Sequence, residues 1–227
     1  MKKIYVIGAS SSTTKPLQRL AKKSGSEIGF FGRTNPHKLE NFVKYDGIFD
    51  DDSIDALWKI FIKIIEDDYM KFDEFHLVIL PGKSSNNWRE SFLINEYLPA
   101  VLSEKFAKKM IDVSRESSIV LIGSAAIYQG ANKISYAATK ASLIGILHTI
   151  SRKYLPKNRV NLIIPAAFNS GMISDWGEDK REKIAKSIPA GKIGSVGEVA
   201  DAIFFAINNK FTTNSVINMT GGSVIID

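Results

Sequence analysis

Lys3-Ile4-Tyr5-Val6-Ile7-Gly8-Ala9-Ser10-Ser11-Ser12-Thr13-Thr14 opens the chain as an apolar run, a glycine, and a string of small hydroxyl residues. Residues 4–8 read as a buried strand and 14–23 as a helix entered straight from the turn. Pro16 is acceptable there because the first helical turn needs no intrahelical N–H. The same alternation continues to the end of the chain. Strand-like runs at 27–31, 75–80, 118–123, 159–164 and 215–219 are separated by helix-like ones at 54–68, 88–113, 135–154 and 198–208. Asp52-Ser53 is the expected cap of the 54–68 helix, whose Leu57, Ile60, Phe61, Ile64 and Ile65 recur at helical spacing. A bend is expected near Pro99 in the long 88–113 helix. Between Gly32 and Asp50 a helix and a third strand are expected, and both are weakly written. Alternation of this kind predicts an α/β fold, a doubly wound parallel sheet of about seven strands with helices on both faces.

Composition sets the outer bounds. With 227 residues, 44% hydrophobic and 24% charged, the chain reads as one domain over residues 1–227, large enough for a sizeable core. No apolar run approaches the ~20 residues of a membrane helix, and Met1-Lys2-Lys3 leads into a strand without a signal-peptide pattern, so a cytoplasmic setting is expected. Cysteine is absent, which removes disulfides, thiolate metal sites and thiol nucleophiles; no metal is expected. The net charge of +6 comes from Lys and Arg scattered among acids, as in Glu104-Lys105 and Lys108-Lys109 before Asp112. Without a basic stripe carrying interleaved aromatics, this is a solvated surface with some attraction for anionic nucleotides, not a nucleic-acid interface.

Chemistry is concentrated in Ser135-Tyr136-Ala137-Ala138-Thr139-Lys140-Ala141-Ser142. Tyr136 and Lys140 are four apart and leave one helix face a turn apart. A phenol titrates near ~10, and a neighbouring ammonium is expected to lower that value toward working pH. Ser124 closes the apolar run before this helix, where its hydroxyl can hold a carbonyl or alcohol oxygen while Tyr136 moves the proton. Tyr and Lys at this spacing also occur as a plain amphipathic pair with a solvated Lys tip. The strand ending in Ser, the short loop, the helix and the upstream turn together favour acid/base chemistry.

Ser124 followed by Tyr136-Ala137-Ala138-Thr139-Lys140 resembles the active-site signature of the short-chain dehydrogenases/reductases, and the resemblance runs from Lys3 to Gly222. It is similar in particular to the 3-oxoacyl-carrier-protein reductases. The resemblance implies a Rossmann-type fold in which Ser124 orients the substrate oxygen and Tyr136 is the general acid/base. Lys140 would bind the nicotinamide ribose and lower the tyrosine's pKa, and Asn95 would complete a proton relay through a water. Long helices corresponding to 88–113 and 135–154 commonly form tetramers in that family, so a homo-oligomer, tetramer or dimer, is expected.

The first turn meets a pyrophosphate in doubly wound folds, through small residues and a helix N-terminus. Against the family's TGxxxGxG, Gly8 matches the first glycine, while Ser12 and Thr14 stand at the second and third; Ser10 and Ser11 complete the expected phosphate contacts. An acidic residue ending the second strand would bind a ribose 2′-hydroxyl. Here Gly32 takes that place and Arg33 follows, which favours NADP(H) over NAD(H). The family's NNAG corresponds to Ile79-Leu80-Pro81-Gly82 and keeps only Gly82. For the adenine, Asp46, Asp50 and Asp51 are rival candidates. Pro165-Ala166-Ala167-Phe168-Asn169-Ser170 resembles PGxxxT, which implies that Pro165, Phe168 backbone and the Ser170 hydroxyl border the nicotinamide and phosphate; Ala166 replaces a glycine. Residues 188–194, with Lys192 where Arg is common, and 218–222 resemble the family's C-terminal segments.

The loop 172–188 should cover the substrate. Phe168, Met172, Ile173, Trp176, Ile127 and Tyr128 would make an apolar mouth, suited to a largely apolar small carbonyl or alcohol. The leading expectation is thus an NADP(H)-dependent enzyme interconverting a ketone and an alcohol. A non-catalytic nucleotide- or partner-binding member is the alternative, motivated by Ser12, Thr14 and the altered NNAG. A nucleotide-sugar epimerase or dehydratase ranks last, because Gly221-Gly222 leaves no length for a larger C-terminal substrate domain.

Overall fold

Along β1 (Lys2–Ile7), Ile4 and Val6 point to one face of a sheet and Tyr5 and Ile7 to the other, and all four are fully buried. A strand apolar on both faces requires cover on both, the condition met by a parallel sheet with crossover helices. The computed structural model describes residues 1–45 and 50–224, without the side chain of Met172. β1, β2 (Glu27–Gly32), β3 (Phe42–Lys44), β4 (Glu74–Ile79), β5 (Glu116–Ile122), β6 (Asn158–Pro165) and β7 (Ser215–Met219) pair in parallel throughout, in the order β3-β2-β1-β4-β5-β6-β7.

Eight α-helical segments are described: α1 (Thr14–Lys23), α2 (Asp51–Asp68), α3 (Trp88–Phe92), α4 (Leu98–Asp112), α5 (Ala126–Gln129), α6 (Ile134–Tyr154), α7 (Glu178–Ser187) and α8 (Val196–Asn208). Leu17 and Ala21 of α1, with Val199, Ile203 and Ile207 of α8, cover Ile4, Val6, Phe30, Val78, Val120 and Ile163. On the other face, α2, α4 and α6 bring Phe61, Phe106 and Leu147 over Tyr5, Leu77, Leu121 and Leu162. Phe61 is the hub there. Its ring meets Tyr5 edge-on at 4.8 Å, Phe31 at 5.1 Å and a parallel Phe106 at 6.0 Å. Such ring pairs add about 0.5–1.5 kcal/mol each to the burial itself. Among the described residues, no helix is long and apolar enough to cross a membrane.

Several elements differ from the sequence expectation. α2 starts earlier, because Asp50 and not Asp52-Ser53 is its cap: the Asp50 carboxylate accepts from the Ser53 N–H at 3.1 Å. The long helix is broken by a π turn at Leu93–Tyr97, while Pro99 lies harmlessly in the first turn of α4. Segment 172–188 is no plain loop, since it carries a 3-10 turn (Gly171–Ile173) and α7. No helix forms between β2 and β3, which cross through residues 33–41 alone, fewer than a parallel crossover usually takes. Two residues at positive φ, Lys38 and Asn41, make that shortcut possible. Asn35 clasps Leu39 from both sides, its amide donating to the Leu39 carbonyl at 3.0 Å and accepting from the Leu39 N–H at 2.8 Å.

From β1 the chain runs outward to β2 and β3, then returns to the opposite side of β1 as β4. Ligands of open α/β sheets bind in the crevice at this reversal, beyond the C-terminal strand ends. The register aligns Ile7 with Ile79, Ile79 with Leu121, and Leu121 with Leu162. Gly8, Leu80, Gly123 and Pro165 therefore open along one edge.

Candidate active site

β5 delivers Ser124 to that edge, and the second residue past the start of α6 is Tyr136. The Ser124 hydroxyl accepts from the Ala126 N–H at 3.2 Å and hydrogen-bonds the Tyr136 phenol. One turn on, Lys140 is only 2% exposed, and its ammonium donates to the Ile122 carbonyl at 2.8 Å. Burial penalises that charge and brings the Lys140 pKa down to about 8. Burial also pushes the Tyr136 phenol up, with the Ser124 hydrogen bond opposing it weakly. This corrects the expectation that Lys140 lowers the tyrosine. Lys140 is itself desolvated and aimed at a main-chain carbonyl, so burial dominates and the phenol keeps its proton at neutral pH.

Asn95 sits inside the π turn, fully buried. Its carbonyl accepts from the Lys83 N–H at 2.8 Å, and its amide donates to the Lys83 carbonyl at 3.0 Å and to Thr139 Oγ1 at 3.1 Å. The side chain thus ties the loop after Gly82 to the helix residue preceding Lys140. Its side-chain amide is engaged three ways within the protein. Sequence reasoning missed Thr139, whose partner only the folded geometry reveals.

At the first turn, Gly8 has φ +102°, a region that favours glycine. A Cβ on Gly8 would lie 3.1 Å from Pro81 and 3.2 Å from Leu80, so the apolar pair at the second and third positions of the NNAG segment packs directly against it. Thr14 is not placed to meet a phosphate. It is fully buried, its N–H bonds the Ser11 carbonyl at 3.1 Å, and its hydroxyl donates to the same carbonyl at 2.6 Å. Thr14 staples the turn from within where a glycine would leave it loose. Ser11 Oγ accepts from the Thr13 N–H at 3.3 Å, Ser10 is exposed, and Ser12 Oγ is buried without a protein partner.

Gly32 has a steric reason of its own. A Cβ there would come within 2.7 Å of the Ala9 Cβ, so β2 and the turn touch backbone to side chain. Gly32→Asp, the substitution that would install an acid for NAD, should therefore destabilise the fold by about 1–3 kcal/mol. It should gain no NADH binding. Urea unfolding and NADH titration of the variant check both; an undiminished midpoint would show that the strand end can shift. Arg33 is exposed, and its charge is felt at Tyr45 and Glu90. Of the adenine candidates, Asp50 caps α2 and Asp51 bonds the Tyr97 hydroxyl, while Asp46 lies outside the described residues.

On the substrate side, Pro165 accepts from the Ala125 N–H at 2.9 Å, which braces the end of β6 against the Ser124 loop. Phe168 bridges to Gly194, and the Ser170 N–H bonds the Phe168 carbonyl at 2.6 Å. Ile127, Phe168 and Trp176 are half-buried, Ile173 is buried, Tyr128 is exposed, and the Met172 side chain lies outside the description. Arg181, absent from the sequence reading, fastens this segment: its guanidinium donates to Asn169 Oδ1 at 2.9 Å, the Ile173 carbonyl at 2.7 Å and the Trp176 carbonyl at 3.0 Å. Its place in a run of charged residues, Glu178 to Lys183, gave no signal of that role. Among the described residues, no group of three or more His, Asp or Glu could hold a metal.

A dinucleotide fits these residues. The orphaned Ser12 hydroxyl, the left-handed Gly8, and a buried Lys140 ammonium at the same strand edge are the donors and the clearance it needs. The family model described as enoyl-(acyl carrier protein) reductase matches residues 81–224. The chain is similar to the 3-oxoacyl-[acyl-carrier-protein] reductase FabG of Aquifex aeolicus, with 29% identity over 140 residues, 60% of this chain and 56% of that protein. That match spans little more than half of the relative's length. Two solved structures share the fold: ligand-free aldohexose dehydrogenase of Thermoplasma acidophilum (TM-score 0.83, 23% identity, covering 100% of this chain and 96% of that one) and ElxO with NADP bound (TM-score 0.82, 22% identity, 98% of each). Signature residues, strand order and family match agree, and the chain belongs to the short-chain dehydrogenases/reductases.

Proposed function

We propose that the chain is an NADP(H)-dependent oxidoreductase that interconverts a ketone and an alcohol, with 3-oxoacyl thioesters as the first substrates to try. The observation that carries this reading is the half-buried Ser124–Tyr136 hydrogen bond one helical turn from the buried Lys140 ammonium, at the edge shared with the Gly8 turn. A bound nicotinamide supplies or accepts the hydride. The remaining work falls to side chains. Ser124 holds the carbonyl oxygen, and Tyr136, whose proton burial retains, hands that proton to it as charge develops. Lys140 holds the nicotinamide ribose. Asn95 keeps the loop after Gly82 and the Thr139–Lys140 turn in register. Arg33, Gly8, Ser10, Ser11, Ser12 and Gly82 face the adenosine and phosphates, and Pro165, Phe168 and Ser170 the nicotinamide half. A homo-oligomer through α4 and α6 is part of the same reading.

The test is a screen of carbonyl compounds for NADPH consumption, run beside a titration of NADPH by fluorescence. The internally stapled Thr14 turn favours a second reading, a nucleotide- or partner-binding protein without catalysis. Absence of NADPH binding up to millimolar levels would favour that second reading.

The lid makes a separate prediction. Arg181→Ala removes three hydrogen bonds to the segment lining the mouth, each charge-assisted and worth about 1.5–3 kcal/mol. The KM for the carbonyl substrate should rise about tenfold or more, with NADPH affinity changed by less than about threefold. An unaltered KM would detach Arg181 from substrate binding.

A further inference from the structure

The crossover 33–41 runs from β2 to β3 without a helix, and it brings a histidine onto the first turn. The Asn35–Leu39 clasp and the left-handed Lys38 fold the loop back, leaving His37 half-buried with its Nε2 3.2 Å from the Ser10 carbonyl. That carbonyl accepts, so Nε2 carries a proton. Ser10 is the exposed residue of the turn, and Arg33, exposed at the end of β2, begins the same loop. Within 33–41 the charged residues are Arg33, Lys38 and Glu40, all exposed, so the loop is cationic on balance. Gly32 leaves no room for an acidic side chain at the strand end.

We propose that His37 is a second selecting residue for the adenosine 2′-phosphate, acting with Arg33 across the Ser10 turn. This rests on the NADP(H) reading given above. The physical reason is charge. With one nitrogen anchored on the Ser10 carbonyl, an imidazolium offers its other N–H to a phosphate dianion in a charge-assisted hydrogen bond, stronger than one to a neutral 2′-hydroxyl. The helix-free crossover, which looks like a defect in the fold, is what carries the imidazole to this corner.

The full-length protein is titrated calorimetrically with adenosine 2′,5′-bisphosphate and with AMP, which differ only in the 2′-phosphate. Wild type should prefer the bisphosphate by about a hundredfold, two charge-assisted contacts at about tenfold each. His37→Gln keeps a donor for the Ser10 carbonyl but cannot become a cation. It should cut the preference about tenfold and leave AMP affinity within about twofold; His37→Ala should cut the preference at least as far, and Arg33→Ala should cut it on its own. If the His37 variants weaken both nucleotides alike, the imidazole only braces the turn and the proposal fails. It fails as well if they keep the wild-type preference while Arg33→Ala loses it, a result that leaves the NADP(H) reading intact. A wild type without preference would overturn both.

Discussion

Tyr136→Phe is expected to lower turnover by about 10²–10⁴-fold while leaving NADPH binding within about twofold. Phenylalanine keeps the aromatic ring and removes only the hydroxyl, so the change in shape is small. What goes is the phenolic proton that, with Ser124, would meet a carbonyl oxygen as it develops charge. Because burial raises the phenol, its protonated form persists through neutral pH, and reduction in the wild type should decline only on the alkaline side. The variant leaves the Ser124 hydroxyl without its phenol partner, at a cost of about 1 kcal/mol in stability. Single-turnover hydride transfer separates that small structural cost from the chemical one. Residual activity within tenfold of wild type, with NADPH affinity unchanged, would show that another group or a water donates the proton.

The sheet was legible because its signals are local and redundant. Residues 14–23 and 215–219 match α1 and β7 in full, since an apolar run ending at a glycine, a proline in the first turn, or a clean terminal run leaves little freedom. Ser124, Tyr136 and Lys140 were legible for a related reason: helical spacing and a strand end determine which way side chains leave the backbone. What was not legible depends on burial and on long-range partners. α7 reads as loop in the sequence because it has no buried residue and thus no apolar periodicity to detect. The missing helix between β2 and β3 left only weak patterning, and the Asn35 clasp that replaces it is a contact between a side chain and main chain four residues on. Thr14 looked like a damaged glycine and proved to be a staple. The sign of the tyrosine shift was misjudged because spacing places an ammonium nearby without saying how dry both groups are.

Lys140→Met is expected to make the cofactor-free protein more stable at pH 7 and far less active. The ammonium is 2% exposed with one carbonyl for a partner, and its pKa falls from 10.5 to about 8. That interval corresponds to about 3 kcal/mol. The sign follows from proton counting. Between about pH 8 and 10.5 the unfolded chain holds the proton and the folded one has released it, so wild-type stability rises with pH through that window. The penalty is absent above 10.5 and fully present below about 8. Methionine carries no charge at any pH, so its advantage should be about 2 kcal/mol at pH 7, after about 1 kcal/mol for the lost hydrogen bond to Ile122, and should shrink as pH approaches 10. Urea unfolding of both proteins at pH 7 and 9.5 measures this difference directly, free of the other groups that titrate there. A difference constant with pH would mean that water reaches Lys140 and that the amine is not held in a dry site. Turnover should drop by about 10²-fold or more, because the ammonium proposed to position the nicotinamide ribose is gone. A stabilised protein with lost activity is the outcome that marks Lys140 as retained for chemistry against the preference of the fold.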